Sequence, residues 1–224
     1  MIALQWKLEY DRIMSSALQH ETGDSFAQSR GVRCPELLRL HESGSAQHLV
    51  QFYEDESFVI RNVSYLAAKT LAAGDSSIIL ATECHLKQIG ERLAYSGMNL
   101  DAFRESGRYE EVDATEASSQ VMVDGRPDKK KFDDVIGRVV RRSTKKSANG
   151  FVFVFGEMVA LLCAANNADG AVHVEKLWNS LAERQRFSLY CAYPLNSLGS
   201  EPDADALTQI CAEHVLTIPA ETSL

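Results

Sequence analysis

The sequence predicts an α/β protein built as a three-layer sandwich, with a mainly parallel sheet between two layers of helices. From residue 48 onward, short apolar runs alternate with segments of helical periodicity. Runs such as residues 77–81 (SIILA) and 151–155 (FVFVF) are uninterrupted, which is typical of strands buried on both faces of a parallel sheet. Parallel strands joined by helices imply right-handed crossovers.

Capping residues and apolar stripes place the individual elements. Asp55 and Gly74 bracket the first helix as an N-cap and a C′ residue. Residues 129–142 carry apolar side chains at i, i+3, i+4, i+7 and i+8, a strong amphipathic signal. In chain order the predicted elements are strand 48–53, helix 56–73, strand 77–81, helix 83–94, strand 108–112, helix 115–123, turn 124–128, helix 129–142, strand 151–155, helix 157–165, helix 171–183, strand 187–193, helix 204–213 and strand 215–218.

The first 45 residues form a separate segment. Residues 4–19 have a loose apolar stripe that indicates an amphipathic helix, and the polar residues 21–33 read as a linker. We therefore divide the chain into a helical extension and linker, 1–45, and a domain, 46–221. The extension is a tether, a coiled-coil stub or a dimerisation element.

Composition and charge restrict the class of protein. The 224 residues carry a net charge of −8, which argues against general nucleic-acid binding. Residues 126–146 alone hold nine Lys or Arg and three Asp, which we interpret as a solvated helix face or a contact for an acidic partner, including a second copy of this chain. Five cysteines without a CxxC pair, and no apolar signal-peptide core, predict a soluble cytoplasmic protein without a membrane anchor.

The order strand, helix, strand, helix, strand over residues 48–113 is that of a P-loop ATPase, but the phosphate-binding loop is missing. Residues 48–53 (HLVQFY) pass directly into EDESF, where a nucleotide-binding relative carries GxxxxGK[ST]. Without that loop there are neither the backbone N–H groups nor the Lys that hold phosphates. We predict a P-loop-type α/β fold that lacks the Walker A loop, binds no nucleotide cofactor and is not an enzyme.

Polar side chains stand at the carboxyl ends of all five principal strands, where open α/β sheets bind ligands. We predict a ligand site there, formed by Tyr53, Glu54, Glu83, His85, Asp113, Glu157 and Tyr193.

Two of these residues, Glu157 and Glu83, also have structural explanations, and four further polar or aromatic residues are interpreted in the same way. Glu157 opens a helix, where a carboxylate is favourable by about 0.3–1 kcal/mol. Glu83 has the same explanation, although it also stands where the ATPases carry their water-activating carboxylate. His48 lies at the amino end of its strand, which favours a structural hydrogen bond. Trp178 lies at helical spacing from apolar residues, which predicts a position in the core. Glu175 and Asn179 lie on another side of that helix and either bond neighbouring loops or line a cavity.

Local spacing predicts no metal centre and no nucleophile. Glu83, Cys84 and His85 are adjacent and do not converge readily on one ion, and no HxxxH or CxxC pair supports them. A GxSxG elbow is also missing.

Eight strings together resemble the MEDS domain, the sensory domain of methanogens and methylotrophs that is also found in the regulator DcmR. They are HLVQFYEDESF, LAAGDSSIILATECH, GRYEEVDA, PDKKKFDDVIGRVV, FGEMVALLCAANN, HVEKLWNSLA, FSLYCAYP and ICAEHVLTIPAE. The resemblance implies a small-molecule sensor for hydrocarbon or one-carbon derivatives, on a scaffold derived from KaiC-like ATPases of the RecA fold. His173 departs from the family pattern, which has an apolar residue there.

Three functions follow from these observations. The first is a non-enzymatic sensor that binds a small organic ligand at the carboxyl edge and signals to a protein partner or through self-association. The second is an interaction module of a kinase or anti-sigma pathway with a vestigial pocket. The third is a hydrolase using Glu83, Asp113 and Glu157, which the missing phosphate loop disfavours.

Overall fold

The structure is a computed structural model that describes residues 47–195 and 204–218. The predicted helix 4–19, the linker 21–33 and the boundary between residues 45 and 46 lie outside the described residues. The strands are β1 (His48–Tyr53), β2 (Ser76–Ala81), β3 (Tyr109–Asp113), β4 (Met122–Val123), β5 (Arg126–Pro127), β6 (Val152–Gly156), β7 (Ser188–Pro194) and β8 (Leu216–Ile218). The helices are α1 (Glu56–Ala72), α2 (Glu83–Tyr95), α3 (Leu100–Ser106), α4 (Ala114–Val121), α5 (Lys129–Phe132), α6 (Arg138–Lys146), α7 (Met158–Ala164), α8 (Ala168–Ala182) and α9 (Ala204–Ala212).

The main sheet has six parallel strands in the order β3-β2-β6-β7-β1-β8. All six positions of β1 and β2, and all five of β6, are buried. The uninterrupted apolar runs of β2 and β6 predicted this burial. The predicted α/β class with a mainly parallel sheet is confirmed. The relation to RecA and KaiC stays a prediction.

Two hydrophobic cores lie on opposite faces of the sheet and give the three layers. On one face, α1, α2 and α3 pack against alternate strand residues, including Ile79 and Tyr190. On the other face, α4 to α9 cover the remaining strand residues, including Val154 and Cys191.

The prediction differs from the structure at two places between residues 99 and 127. The helix predicted over 115–123 ends at Val121, because residues 122–123 pair with 126–127 in a small hairpin. Asp124 and Gly125 turn it with φ values of 49° and 78°, the Asp-Gly pattern of a tight hairpin turn. Helix α3, capped by Asn99, was missed.

The helix predicted over 129–142 instead continues to Lys146, and a π-helical turn, Asp133–Gly137, joins α5 to α6.

Candidate functional site

The carboxyl edge of the sheet is divided between β2 and β6. These neighbouring strands lead in opposite directions, since the chain leaves β2 toward β3 and leaves β6 toward β7. Open α/β sheets place their ligand crevices where adjacent strands diverge in this way. The main-chain N–H of Glu157 donates to the carbonyl of Leu80 at 2.9 Å, which ties the two strand ends together.

A buried pair, His85 and Glu157, occupies this divergence point. His85 opens α2 after β2, Glu157 follows β6, and the two residues are only 7% and 4% exposed. His85 Nδ1 forms a very short hydrogen bond with Glu157 Oε1, and Glu157 Oε2 accepts the main-chain N–H of Thr82 at 2.9 Å. Glu157 therefore holds the β2–α2 junction and does not cap its own helix.

The pair extends to the surface through Glu56. The other ring nitrogen of His85, Nε2, lies 3.6 Å from a carboxylate oxygen of Glu56, whose side chain is 64% exposed. The hydrogen bond with Glu157 raises the pKa of His85, burial opposes the shift, and the negative charges of Glu157 and Glu56 add to it. An imidazolium at His85 is thus held between a buried and an exposed carboxylate, and it links α1, α2 and the end of β6.

The raised pKa of His85 predicts a pH-dependent stability difference between the wild type and His85→Gln. Because the folded-state pKa lies above the unfolded value of 6.5, the charged pair contributes fully below that value and loses its contribution as the pH rises through the folded pKa. Urea unfolding from about pH 5.5 to about pH 9 should therefore show a difference that shrinks with rising pH. His173→Gln, at an exposed histidine on α8, is the control. A difference that widens at alkaline pH contradicts the assignment.

An open groove of about 630 Å³ lies between α2, α3 and β3, and its lining residues do not include His85 or Glu157. Glu83 stands at the β2 end of the groove, and Arg104 crosses it to hydrogen-bond with Glu111 at 3.0 Å. Its walls combine apolar and charged side chains: Glu83, Leu86, Lys87, Gly90, Glu91, Ala94, Met98, Asn99, Leu100, Asp101, Arg104 and Glu111.

Three other predicted ligand residues, Tyr53, Glu54 and Asp113, have surroundings that differ from one another. Tyr53 is buried in the core beneath α1, whereas Glu54 is exposed. Asp113 caps α4, where Oδ1 accepts the N–H groups of Thr115 and Glu116 at 2.8 and 2.9 Å. Capping accounts for the carboxylate of Asp113.

Tyr193, also predicted for the carboxyl-edge site, belongs to a second buried cluster and does not lie beside His85 and Glu157. Its hydroxyl donates to Glu175 Oε1 at 2.6 Å, because alternation along β7 turns its side chain toward α8, on the face opposite α2.

This second cluster surrounds Glu175, which is completely buried. His48 Nε2 lies 3.1 Å from Glu175 Oε2, and His214 Nε2 lies 3.5 Å from Oε1. Cys191 Sγ lies 3.6 Å from His48 Nε2 and 3.8 Å from Glu175 Oε2. Burial by itself raises the pKa of Glu175, but His214, His48 and Tyr193 lower it overall. Burial lowers the pKa of His214 to about 4.

Asn179 supports the cluster from the same helix. Its Oδ1 lies 2.7 Å from His48 Nδ1, and its amide group donates to the main-chain and side-chain oxygens of Glu213, both at 2.9 Å. Trp178 lies in the neighbouring core, 2% exposed.

Sequence reasoning missed Glu56, Cys191 and His214 as members of these two groups. Glu56 and Glu157 are about a hundred positions apart, and His48 and His214 are farther still, so no spacing motif connects them. One available signal was the alternation of β7, which puts Cys191 on the same face as Tyr193.

The basic residues of 126–146 are partly paired within the described chain. Arg142 forms two 2.8 Å hydrogen bonds with Glu110, and Lys130 lies 3.2 Å from Asp134.

Among the described helices, none is both long and apolar enough to span a membrane.

Comparison with known proteins identifies one family. The model of MEDS, the methanogen/methylotroph, DcmR sensory domain, matches residues 47–214. No curated protein matches the chain.

Proposed function

The chain belongs to the MEDS family of sensory domains, and on that premise we propose that it is a non-enzymatic sensor of a small organic molecule. The ligand binds at the carboxyl edge of the sheet, beside the divergence of β2 and β6. The signal passes to a protein partner or to a second copy of the chain. The observation that carries this proposal is the buried His85–Glu157 pair with its link to the exposed Glu56.

The His85–Glu157–Glu56 connection supplies a physical route from ligand to surface. A buried histidine whose pKa is shifted by a charged partner is a common feature of functional sites. A ligand group that hydrogen-bonds with His85 or Glu157 competes with the 3.6 Å contact to Glu56. Since Glu56 opens α1, which packs against α2, differential binding shifts the population of α1 positions. The affinity of a partner that contacts α1 then depends on whether the ligand is bound.

The groove supports a ligand that is small and largely apolar with one polar group. Leu86, Met98 and Leu100 give it an apolar wall, and six charged side chains, including Glu83 and Arg104, line the rest. Sites for small organic ligands combine apolar walls with polar groups that fix the orientation of the ligand. The family description names methanogens and methylotrophs, which directs the search toward one-carbon compounds and simple hydrocarbon derivatives.

A ligand screen tests this proposal. Native mass spectrometry of the full chain, followed by a thermal-shift screen of one-carbon compounds, small alcohols, aldehydes, carboxylates and halogenated hydrocarbons, should identify a stabilising molecule. Glu157→Gln should weaken its binding at least about tenfold, because a hydrogen bond to a charged group contributes about 1.5–3 kcal/mol. Glu105→Gln, at an exposed position on α3, should bind as the wild type does.

The same screen separates the sensor from an interaction module of a kinase or anti-sigma pathway. If no compound stabilises the wild type and none is retained from the cell, the pocket is vestigial and the interaction module is favoured. A ligand whose affinity is identical in Glu157→Gln contradicts the assigned position. Turnover of that ligand would contradict the non-enzymatic role.

A further inference from the structure

Four side chains from distant parts of the chain aim their ligand atoms at one buried point. The nitrogen, oxygen and sulfur atoms of His48, Glu175, Cys191 and His214 lie within 4.8 Å of one another. We propose that these residues form a structural site for a divalent transition-metal ion of the zinc type. The site lies on the face of the sheet opposite α2, so it is separate from the proposed sensor pocket.

The hydrogen bonding of His214 leaves one ring nitrogen in need of a cation. Nδ1 lies 2.6 Å from the carbonyl oxygen of Ile210, which only accepts hydrogen bonds, so Nδ1 carries the hydrogen. In the neutral ring, Nε2 then presents a lone pair to the carboxylate of Glu175, 3.5 Å away. Two acceptors face each other, and Nε2 is buried without a hydrogen-bond partner.

His48 repeats this arrangement. The amide nitrogen of Asn179 donates to two oxygens of Glu213, so its Oδ1 faces His48 and accepts from Nδ1. The lone pair of His48 Nε2 is thereby aimed at Glu175 and Cys191. Metal-binding histidines typically have this orientation, with the far N–H donated to a carbonyl or carboxylate oxygen.

The spacing and charge of the cluster suit a tetrahedral ion. With bonds of about 2.0–2.3 Å, neighbouring ligand atoms of a tetrahedron are about 3.3–3.8 Å apart. The separations among His48 Nε2, Cys191 Sγ and Glu175 Oε2 run from 3.1 to 3.8 Å. His214 Nε2 lies 3.5 Å from the other carboxylate oxygen, Glu175 Oε1. On binding, the Cys191 thiol loses its proton to solvent, and a dication with one thiolate and one carboxylate makes a neutral buried site. Nitrogen and sulfur ligands favour zinc over calcium or magnesium.

Four protein ligands leave no open position, so the ion has a structural role. Through His48, Cys191 and Glu175, the ion connects β1, β7 and α8. Through His214, it connects them with the segment between α9 and β8. Metal binding therefore contributes to folding free energy and fastens the C-terminal strand to the sheet.

Metal content and cobalt spectroscopy test the site on the full chain, purified without a histidine tag. After growth with zinc, elemental analysis should find about one zinc per wild-type chain. Cobalt loaded into the chelated protein should give tetrahedral ligand-field bands and a thiolate charge-transfer band. The latter band should vanish in Cys191→Ser and persist in Cys84→Ser, which removes an exposed thiol.

Two further measurements distinguish loss of the metal site from unfolding of the variant protein. His214→Gln should reduce zinc affinity at least about tenfold, whereas His173→Gln should leave it unchanged. In the wild type, zinc should raise the melting temperature of the chelated protein. A folded wild type that binds neither zinc nor cobalt overturns the proposal, as does a cobalt–thiolate band that survives in folded Cys191→Ser.

Discussion

Replacement of Glu175 by Ala should reduce the free energy of unfolding by about 3–5 kcal/mol, measured in urea with a chelator present. The carboxylate is completely buried and accepts the hydroxyl of Tyr193 at 2.6 Å. Without it, this hydroxyl has no acceptor in an apolar interior, and the missing side chain leaves a cavity. Polar groups left unsatisfied in this way each cost about 1–3 kcal/mol.

Two variants separate this effect from loss of side-chain volume. Glu175→Gln keeps the shape and an acceptor for Tyr193, so it should lose less stability than Glu175→Ala. Glu183→Ala, at an exposed position just after the same helix, should change stability by less than about 0.5 kcal/mol. A loss below about 1 kcal/mol in Glu175→Ala would show that solvent reaches the cluster.

Trp178→Ala should reduce the free energy of unfolding by about 3–5 kcal/mol, because it opens a cavity in the core beneath α8. The indole is 2% exposed. It packs edge-on against Phe132, with ring centroids 5.2 Å apart, and against Phe187 at 5.7 Å. Such aromatic contacts add about 0.5–1.5 kcal/mol to the effect of burial.

Thermal and urea unfolding measure the effect of Trp178→Ala. Trp178→Phe, which keeps an aromatic ring, should lose clearly less stability than Trp178→Ala. Tyr95→Ala removes a large ring that is 95% exposed and should be nearly neutral. Equal losses in Trp178→Phe and Trp178→Ala would mean that the two phenylalanine contacts contribute little.

The fold was largely predictable because its strands and helices carry local signals. Apolar runs identified β2 and β6, and the other strands of the main sheet were placed within one residue of their observed bounds. Asp55 caps α1 as predicted, accepting the N–H of Ser57 at 2.9 Å. The errors at residues 114–127 arose where a short hairpin competes with helical periodicity. The order of strands in the sheet carries no local signal at all, since it depends on which distant runs pair.

The site was predictable only in part, for a related reason. Strand ends indicated His85 and Glu157, because carboxyl ends of parallel strands share one edge. Glu56, which completes that connection, resembles any acidic residue in the first turn of a helix. The cluster around Glu175 draws on four segments, so only the three-dimensional pairing of β1 with β7 brings His48 beside Cys191.

The position of β1 also dictates when the protein can complete its folding during synthesis. Among the described strands, β1 pairs with β7 and β8, and His48 aligns with Leu189, far along the chain. During synthesis, both edges of β1 therefore remain without β7 and β8 until nearly the whole chain has left the ribosome. Pairings between such distant residues form slowly, and exposed strand edges invite association with other chains. The nascent protein is therefore most vulnerable to aggregation before β7 leaves the ribosome.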